Sequence, residues 1–430
     1  MHKLFNYLSL IIKSDLFKNS SIYIIASFSN AVIPFLLLPM LTHFLTKLDY
    51  GIITMFVTVV ALVLPLVGFN LDAAVTRRYY SKDTDLSIFL WNSLFIFFTM
   101  SLFCFILFYF FKDSIGFYID IPENWVLMIP LVASATFLSN LALVLFHVRE
   151  KPIKFATFQV TQSILNASLT TIFIIILLYG WTGRILSIII STSIFSCISI
   201  FLLFKNKDIK FVFNFSYIKY AISYGGGLIP HAIGASLILL TNRFFLTKMI
   251  SIEESGLYGV ANQICSIVPF ITISFNNAYV PWLYRKLSLN NEIEKIKIVK
   301  LTYAYFFFII TFVLTFYLVQ PLIFHVFIGE KFQNAIQYSF WILLGFAFQG
   351  MYYMVTNYIL YSEKTYTLAA ITISIAIVNI PLNYYLIDYY GELGAAISFA
   401  IIFFLYFIIT WFISSKIFEM PWFIFKFNIK

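Results

Sequence analysis

Charge is what this sequence has least of. Asp, Glu, Lys and Arg make up 11% of its 430 residues, against 61% hydrophobic and 20% aromatic, and mean hydropathy is +0.91. A soluble domain carries about 25% charged residues, so a water-soluble globule is excluded and an integral membrane protein is implied. Cysteine is nearly absent: Cys104, Cys197 and Cys265 lie far apart inside apolar runs, which rules out a disulfide framework and offers no metal-ligand spacing. The five histidines, at 2, 43, 147, 231 and 325, are scattered as well. Phosphate-cradling glycine loops are missing, since Gly225-Gly226-Gly227 has neither a Walker nor a dinucleotide pattern. Long polar loops are also missing; the longest outside the apolar runs on the non-basic side, near Phe111 to Asn124, leaves no room for an extramembrane domain. A catalytic site would need clustered acid, base or nucleophile groups. Without them the expectation is no enzyme, no cofactor and no metal.

What is there is a series of apolar runs, each long enough for the roughly 20 residues that cross a bilayer. They fall near 20–45, 50–74, 86–111, 125–148, 155–179 and 185–204, then 218–247, 256–283, 301–327, 335–361, 366–387 and 392–414. Continuous rather than alternating apolarity makes them helices, not barrel strands. The predicted fold is therefore an all-α integral membrane protein of twelve transmembrane helices. Before them, residues 1–19 space Leu4, Phe5, Leu8, Ile11, Ile12 and Leu16 helically among Lys3, Lys13 and Lys18, as an amphipathic helix on the membrane surface would. With the N-terminus inside, 22 of the 28 Lys and Arg residues fall on the cytoplasmic side. That asymmetry predicts both termini inside. Net charge of +9 is thus a topology signal, and no nucleic-acid partner is implied.

The two halves repeat. Phe44-Leu45-Thr46-Lys47 and Tyr50-Gly51 return as Phe245-Leu246-Thr247-Lys248 and Tyr258-Gly259, and Arg77-Arg78 returns as Arg285-Lys286. Asn166 matches Asn379 at an offset of 213, and Gly180, Gly183 and Ser187 match Gly391, Gly394 and Ser398 at 211. Internal repetition of this kind is a transporter signature. It predicts pseudo-symmetric six-helix bundles over 20–204 and 218–414, joined by a cytoplasmic linker at 205–217 and followed by a tail at 415–430. Prolines 34, 39, 65, 230, 269 and 281 recur in spans one, two, seven and eight. There they either permit bending or simply pack as kinks.

Polar groups inside spans point to function by default. Span seven carries His231, Asn242 and Arg243, and span eight carries Asn262, Gln263, Asn276 and Asn277. Arg243 is the only Lys or Arg placed within a span; it either snorkels to the interface or binds a phosphate bidentately. His231 is either a ligand or a packing residue. The basic pairs Arg77, Arg78, Arg285 and Lys286 anchor topology and would also attract an anionic head group. Asp72 is the one acidic candidate for ion coupling, although its place near Arg77 suggests a local ion pair.

Several stretches resemble the polysaccharide flippases of the multidrug, oligosaccharidyl-lipid, polysaccharide (MOP) exporter superfamily. They are Tyr50-Gly51, Arg149-Glu150-Lys151, Pro281-Trp282-Leu283-Tyr284-Arg285-Lys286, Asn379-Ile380-Pro381-Leu382-Asn383 and Gly391-Glu392-Leu393-Gly394-Ala395-Ala396. The resemblance implies a MATE-like fold. It further implies alternating-access transfer of an undecaprenyl-diphosphate-linked oligosaccharide, such as an O-antigen or lipopolysaccharide unit, across a bacterial inner membrane. Expected partners are that lipid-linked substrate, membrane lipids and the polysaccharide polymerase machinery. Candidate substrate contacts are Arg243, His231, Arg77, Arg78, Arg285, Lys286, Asn262 and Asn276. A cation-coupled drug exporter of the same superfamily would need an acidic residue in span one or seven, and neither run has one. A membrane polysaccharide polymerase would need a substantial outer loop.

Overall fold

The structure is a computed structural model and describes residues 15–81, 85–289 and 291–422. Most of the amphipathic segment expected at 1–19, and residues 423–430 of the tail, lie outside them. Among the described residues every α, 3-10 or π element is helical, and the chain is an all-α membrane protein. The helices are α1 (Asp15–Phe44), α2 (Lys47–Gly68), α3 (Leu71–Tyr79), α4 (Leu86–Ile119), α5 (Glu123–Val126), α6 (Met128–Val148), α7 (Pro152–Thr171) and α8 (Gly180–Lys205). They continue as α9 (Phe215–Met249), α10 (Ile252–Cys265), α11 (Ile267–Leu287), α12 (Glu292–Phe327), α13 (Ile336–Tyr361), α14 (Thr365–Tyr390) and α15 (Leu393–Ile417). Among the described residues nine stretches are long and apolar enough to cross a membrane, or ten when α10 and α11 count as one span bent by 42°. Helices α1 and α13 are not among them.

By contact the chain divides between Ile229 and Pro230 into two compact units, so the division falls inside α9. In the first unit α6 packs on α2 and α8, α1 on α7, and α7 on α8. In the second, α13 packs on α11 and α15, and α14 on α15, while the Asn379 amide donates to the Ile238 carbonyl at 3.1 Å and ties α14 to α9. Counted by place in each half, the same helix pairs recur. The repeat in the sequence is thus a repeat in packing.

Three predicted spans are interrupted. The second ends at Gly68, because Phe69 and Asn70 adopt left-handed backbone with φ of 51° and 48°, each worth about 1–2 kcal/mol of strain for a non-glycine. The turn is held close: a Cβ on Gly68 would sit 2.5 Å from the Phe137 ring, and one on Gly225 would sit 2.2 Å from the Phe69 carbonyl oxygen. Gly225 therefore serves close backbone approach, and α9 runs unbroken through Pro230. The fifth span ends in a π turn, Ile172–Ile176. The eighth bends at Ser266, three residues before Pro269, as expected when proline removes a helix donor.

The segment after α8 is fastened to the first unit rather than hanging free. Arg149 grips Asp208 bidentately at 2.9 and 2.7 Å. Lys210 pairs with Asp85 at 2.7 Å, and the buried Asn92 donates to the Val212 carbonyl at 2.9 Å while accepting from the Asn214 amide at 3.0 Å. Trp91 on α4 packs edge-on against Phe211 and Phe213.

Candidate polar centres in the two halves

The second unit gathers most of its polar side chains along α9 and its neighbours. His231 Nδ1 lies 3.0 Å from Thr372 Oγ1, which is 2.5 Å from Tyr406 Oη, itself 3.0 Å from Tyr352 Oη. Thr372 Oγ1 also reaches the Leu368 carbonyl at 2.9 Å. A hydroxyl has one proton, so when it goes to Leu368, both His231 and Tyr406 donate to the threonine oxygen. That arrangement protonates His231 at Nδ1 and leaves Nε2 as an open acceptor.

Three turns further on, the fully buried Asn242 donates to the Ala395 carbonyl at 3.1 Å and accepts from Asn383 at 3.0 Å. Asn383 also donates to Asn379 Oδ1 at 2.8 Å, and Ser398 Oγ lies 3.5 Å from that same oxygen. Neighbouring amides thus satisfy one another where three helices meet. Arg243, the next residue, is half-buried and lies near Tyr258. Asn276 accepts from Asn357 at 2.9 Å, which joins α11 to α13, and Asn262 is half-buried on α10.

The basic pairs do not behave as equals. Arg77 and Arg285 are exposed. Arg78 lies over the Tyr220 ring at 3.8 Å from its centroid, within cation–π range. Lys286 pairs with Glu294 at 3.0 Å. Asp72 is half-buried in the first turn of α3, but among the described residues it makes no ion pair, and the pairing expected with Arg77 does not form. Five residues apart on a helix is about 140° around it, so the two side chains leave different faces.

In the first unit the structure reveals a residue that the sequence hides. Arg184 belongs to α8, not to a loop, because the turn after the fifth span is so short that α8 begins at Gly180. Arg243 is therefore not the only basic residue within a span. Arg184 Nη1 donates to Asn166 Oδ1 and Thr170 Oγ1, both at 2.7 Å, and lies 3.3 Å from Ser187 Oγ. The signal was available in the repeat, since Asn166 and Ser187 are the counterparts of Asn379 and Ser398. A separate groove of about 500 Å³ between α4, α6 and α8 is lined by Phe97, Phe105, Leu131 and Leu138, with Ser101 and Ser134. It carries no charge and so offers nothing to an ionic head group. Among the described residues no three His, Cys, Asp or Glu side chains converge as a metal site.

A family model described as polysaccharide biosynthesis protein matches residues 16–286. The chain belongs to that family. An uncharacterized membrane protein of Haemophilus influenzae is 28% identical over 374 residues, covering 82% of this chain and 85% of the relative. Among solved structures, the lipid II flippase MurJ in an inward closed conformation superposes with a TM-score of 0.73 at 16% identity, over 92% of this chain and 87% of that one. An inward-facing MATE family multidrug resistance transporter of the MOP superfamily superposes with a TM-score of 0.69 at 14% identity, over 92% and 94%. At such identities the likeness is one of fold: this member of the polysaccharide biosynthesis family has the MOP exporter architecture.

Proposed function

We propose that the protein is a flippase that moves an undecaprenyl-diphosphate-linked oligosaccharide from the cytoplasmic to the periplasmic leaflet of a bacterial inner membrane by alternating access. The observation that carries this reading is membership of the polysaccharide biosynthesis family in a chain with the MOP exporter fold. The physical need fits. A diphosphate-sugar head group meets a prohibitive desolvation penalty in hydrocarbon, and a polar, cationic path removes it while the lipid tail stays in the bilayer. In this reading the termini are cytoplasmic and the basic pairs Arg77, Arg78, Arg285 and Lys286 recruit the head group. Arg243 and His231 contact it in passage, supported by Asn262 and Asn276. Asp72 is the coupling candidate. O-antigen or a similar lipopolysaccharide unit is the substrate, and the polymerase machinery receives it.

The test is lipid-linked oligosaccharide accumulation in a deletion strain complemented with the intact protein or Arg243→Ala at matched membrane levels. Trapped completed units that the intact protein releases support a flippase, and loss of rescue by Arg243→Ala places that residue on the path. Unchanged surface polysaccharide on deletion overturns the reading in favour of drug export. Units that cross but fail to lengthen overturn it in favour of polymerisation.

A further inference from the structure

The guanidinium of Arg184 is only partly used. Its Nη1 carries both of its protons to Asn166 and Thr170. Among the described residues, Nε and Nη2 donate to nothing, and neither is among the fully buried unpaired atoms. Three N–H donors in a planar fork of this half-buried residue are therefore unpaired without being fully sealed. Nor does Arg184 form an ion pair among the described residues: the oxygens that accept from it are neutral, and Tyr50 lies close by. Asp49, the acid on the neighbouring α2, is already committed, its carboxylate accepting from the Thr46 amide at 2.9 Å and the Trp181 amide at 3.4 Å. A charge kept inside a membrane helix without a counter-ion is a functional feature by default.

The second half supplies an internal comparison. The register that matches Gly180, Gly183 and Ser187 to Gly391, Gly394 and Ser398 puts Ala395 in the place of Arg184. There the corresponding helices, α14 and α15, meet through the neutral groups Asn379, Asn383 and Ser398, with Asn242 of α9 completing the junction. Joining these helices does not require a cation. In the first half Arg184 itself ties α8 to α7 through Asn166 and Thr170, and it does so with Nη1 alone.

We propose that Arg184 is an oxyanion-binding residue of the first half, which takes a phosphate or carboxylate group of the transported molecule bidentately through Nε and Nη2. The inference rests on the flippase reading for the identity of that molecule, but not for the binding itself. A lipid diphosphate and an acidic sugar would both present the needed pair of oxygens.

The experiment uses the full chain in lipid nanodiscs, titrated with inorganic pyrophosphate and, separately, with glucuronate, at constant ionic strength with chloride as the background anion. The wild type is expected to bind one or both probes saturably. Pyrophosphate alone assigns the phosphate source, and glucuronate alone assigns the acidic sugar. Arg184→Gln is expected to weaken binding at least about tenfold, the size of losing one charge-assisted contact. Should that variant fail to fold, Asn166→Asp decides: it keeps an acceptor for Nη1 but cancels the charge, so a merely structural arginine would leave probe binding as in wild type, whereas an oxyanion site would lose it. Absence of saturable wild-type binding, or wild-type affinity in Asn166→Asp, overturns the proposal. The accumulation assay reports separately on the flippase reading. Trapped lipid-linked units without probe binding defeat only the Arg184 site, and probe binding without trapped units defeats only the flippase.

Discussion

At Asn242 a single amide closes the junction of α9, α14 and α15, and removing it has a definite consequence. Asn242→Ala removes two buried hydrogen bonds, to the Ala395 carbonyl and from Asn383, at about 0.5–1.5 kcal/mol each. Thermal unfolding in detergent is expected to fall by several degrees. An unchanged midpoint would mean that water or a rotated amide replaces the bond. His231 admits a finer distinction. Gln at 231 can still donate to Thr372 but cannot titrate near neutrality, so His231→Gln is expected to retain transport if the hydrogen bond is what matters, while His231→Leu loses it; failure of both variants alike would point to titration. Arg243, His231 and Asn242 were legible because they are polar residues inside a long apolar run, His231 well within it and Arg243 towards its outer end. Arg184 was not. It sits five residues into a helix whose start depends on a π turn and on left-handed Leu178 and Gly180, and nothing in a hydropathy profile marks such a turn.

Among elements, α9 illustrates how close backbone packing restricts sequence. Gly225 and Gly227 look alike in sequence, yet a Cβ on Gly225 would lie 2.2 Å from a carbonyl oxygen and one on Gly227 would meet nothing within 4 Å. Gly225→Ala is expected to abolish folded protein in the membrane fraction, and Gly227→Ala to accumulate normally; equal levels would show that α9 can slide. The break between α2 and α3 that Gly225 packs against was not readable, since Phe69 and Asn70 carry no glycine or proline signal for left-handed backbone. The segment 206–214 is a second element whose structure exceeds its sequence signal. Its Lys210 ammonium, with help from the first amides of α4, holds the Asp85 carboxyl below its ordinary 3.8. A depressed carboxyl contributes stability above its unfolded value and loses it as pH falls through the folded one. The stability difference between wild type and Asp85→Asn is therefore expected to be small but constant near pH 7, to shrink as pH falls below about 4, and to vanish only below the depressed folded value. A gap that persists in acid would assign the effect to shape rather than charge.

For the whole molecule, the number of helices that cross turns on α1, whose apolar part is the short stretch Val32–Phe44, and on α13. Its 26 residues span about 39 Å at 1.5 Å per residue, more than the roughly 30 Å of hydrocarbon, yet Gln337, Gln349, Asn357 and several tyrosines dilute its hydropathy. The second unit explains why such a composition is tolerated. Helix α13 packs against α10, α11, α12 and α15, and a Cβ on Gly345 or Gly350 would clash with Phe399 or Thr272 at 2.3 and 2.6 Å. A helix enclosed by protein on so many sides does not need a lipid-compatible surface, so a hydropathy criterion undercounts it. The repeat of helix pairs between the units predicts that it crosses, because its counterpart, α6 together with α5, is long and apolar enough to do so. Single cysteines introduced at Lys331 and Glu363, in a variant lacking Cys104, Cys197 and Cys265, are therefore expected to label from opposite sides with a membrane-impermeant maleimide. On the basic-side rule Lys331 would label in intact cells and Glu363 only after permeabilisation. Labelling of both from one side would make α13 re-entrant, break the equivalence of the halves, and reverse the side assigned to every loop after it.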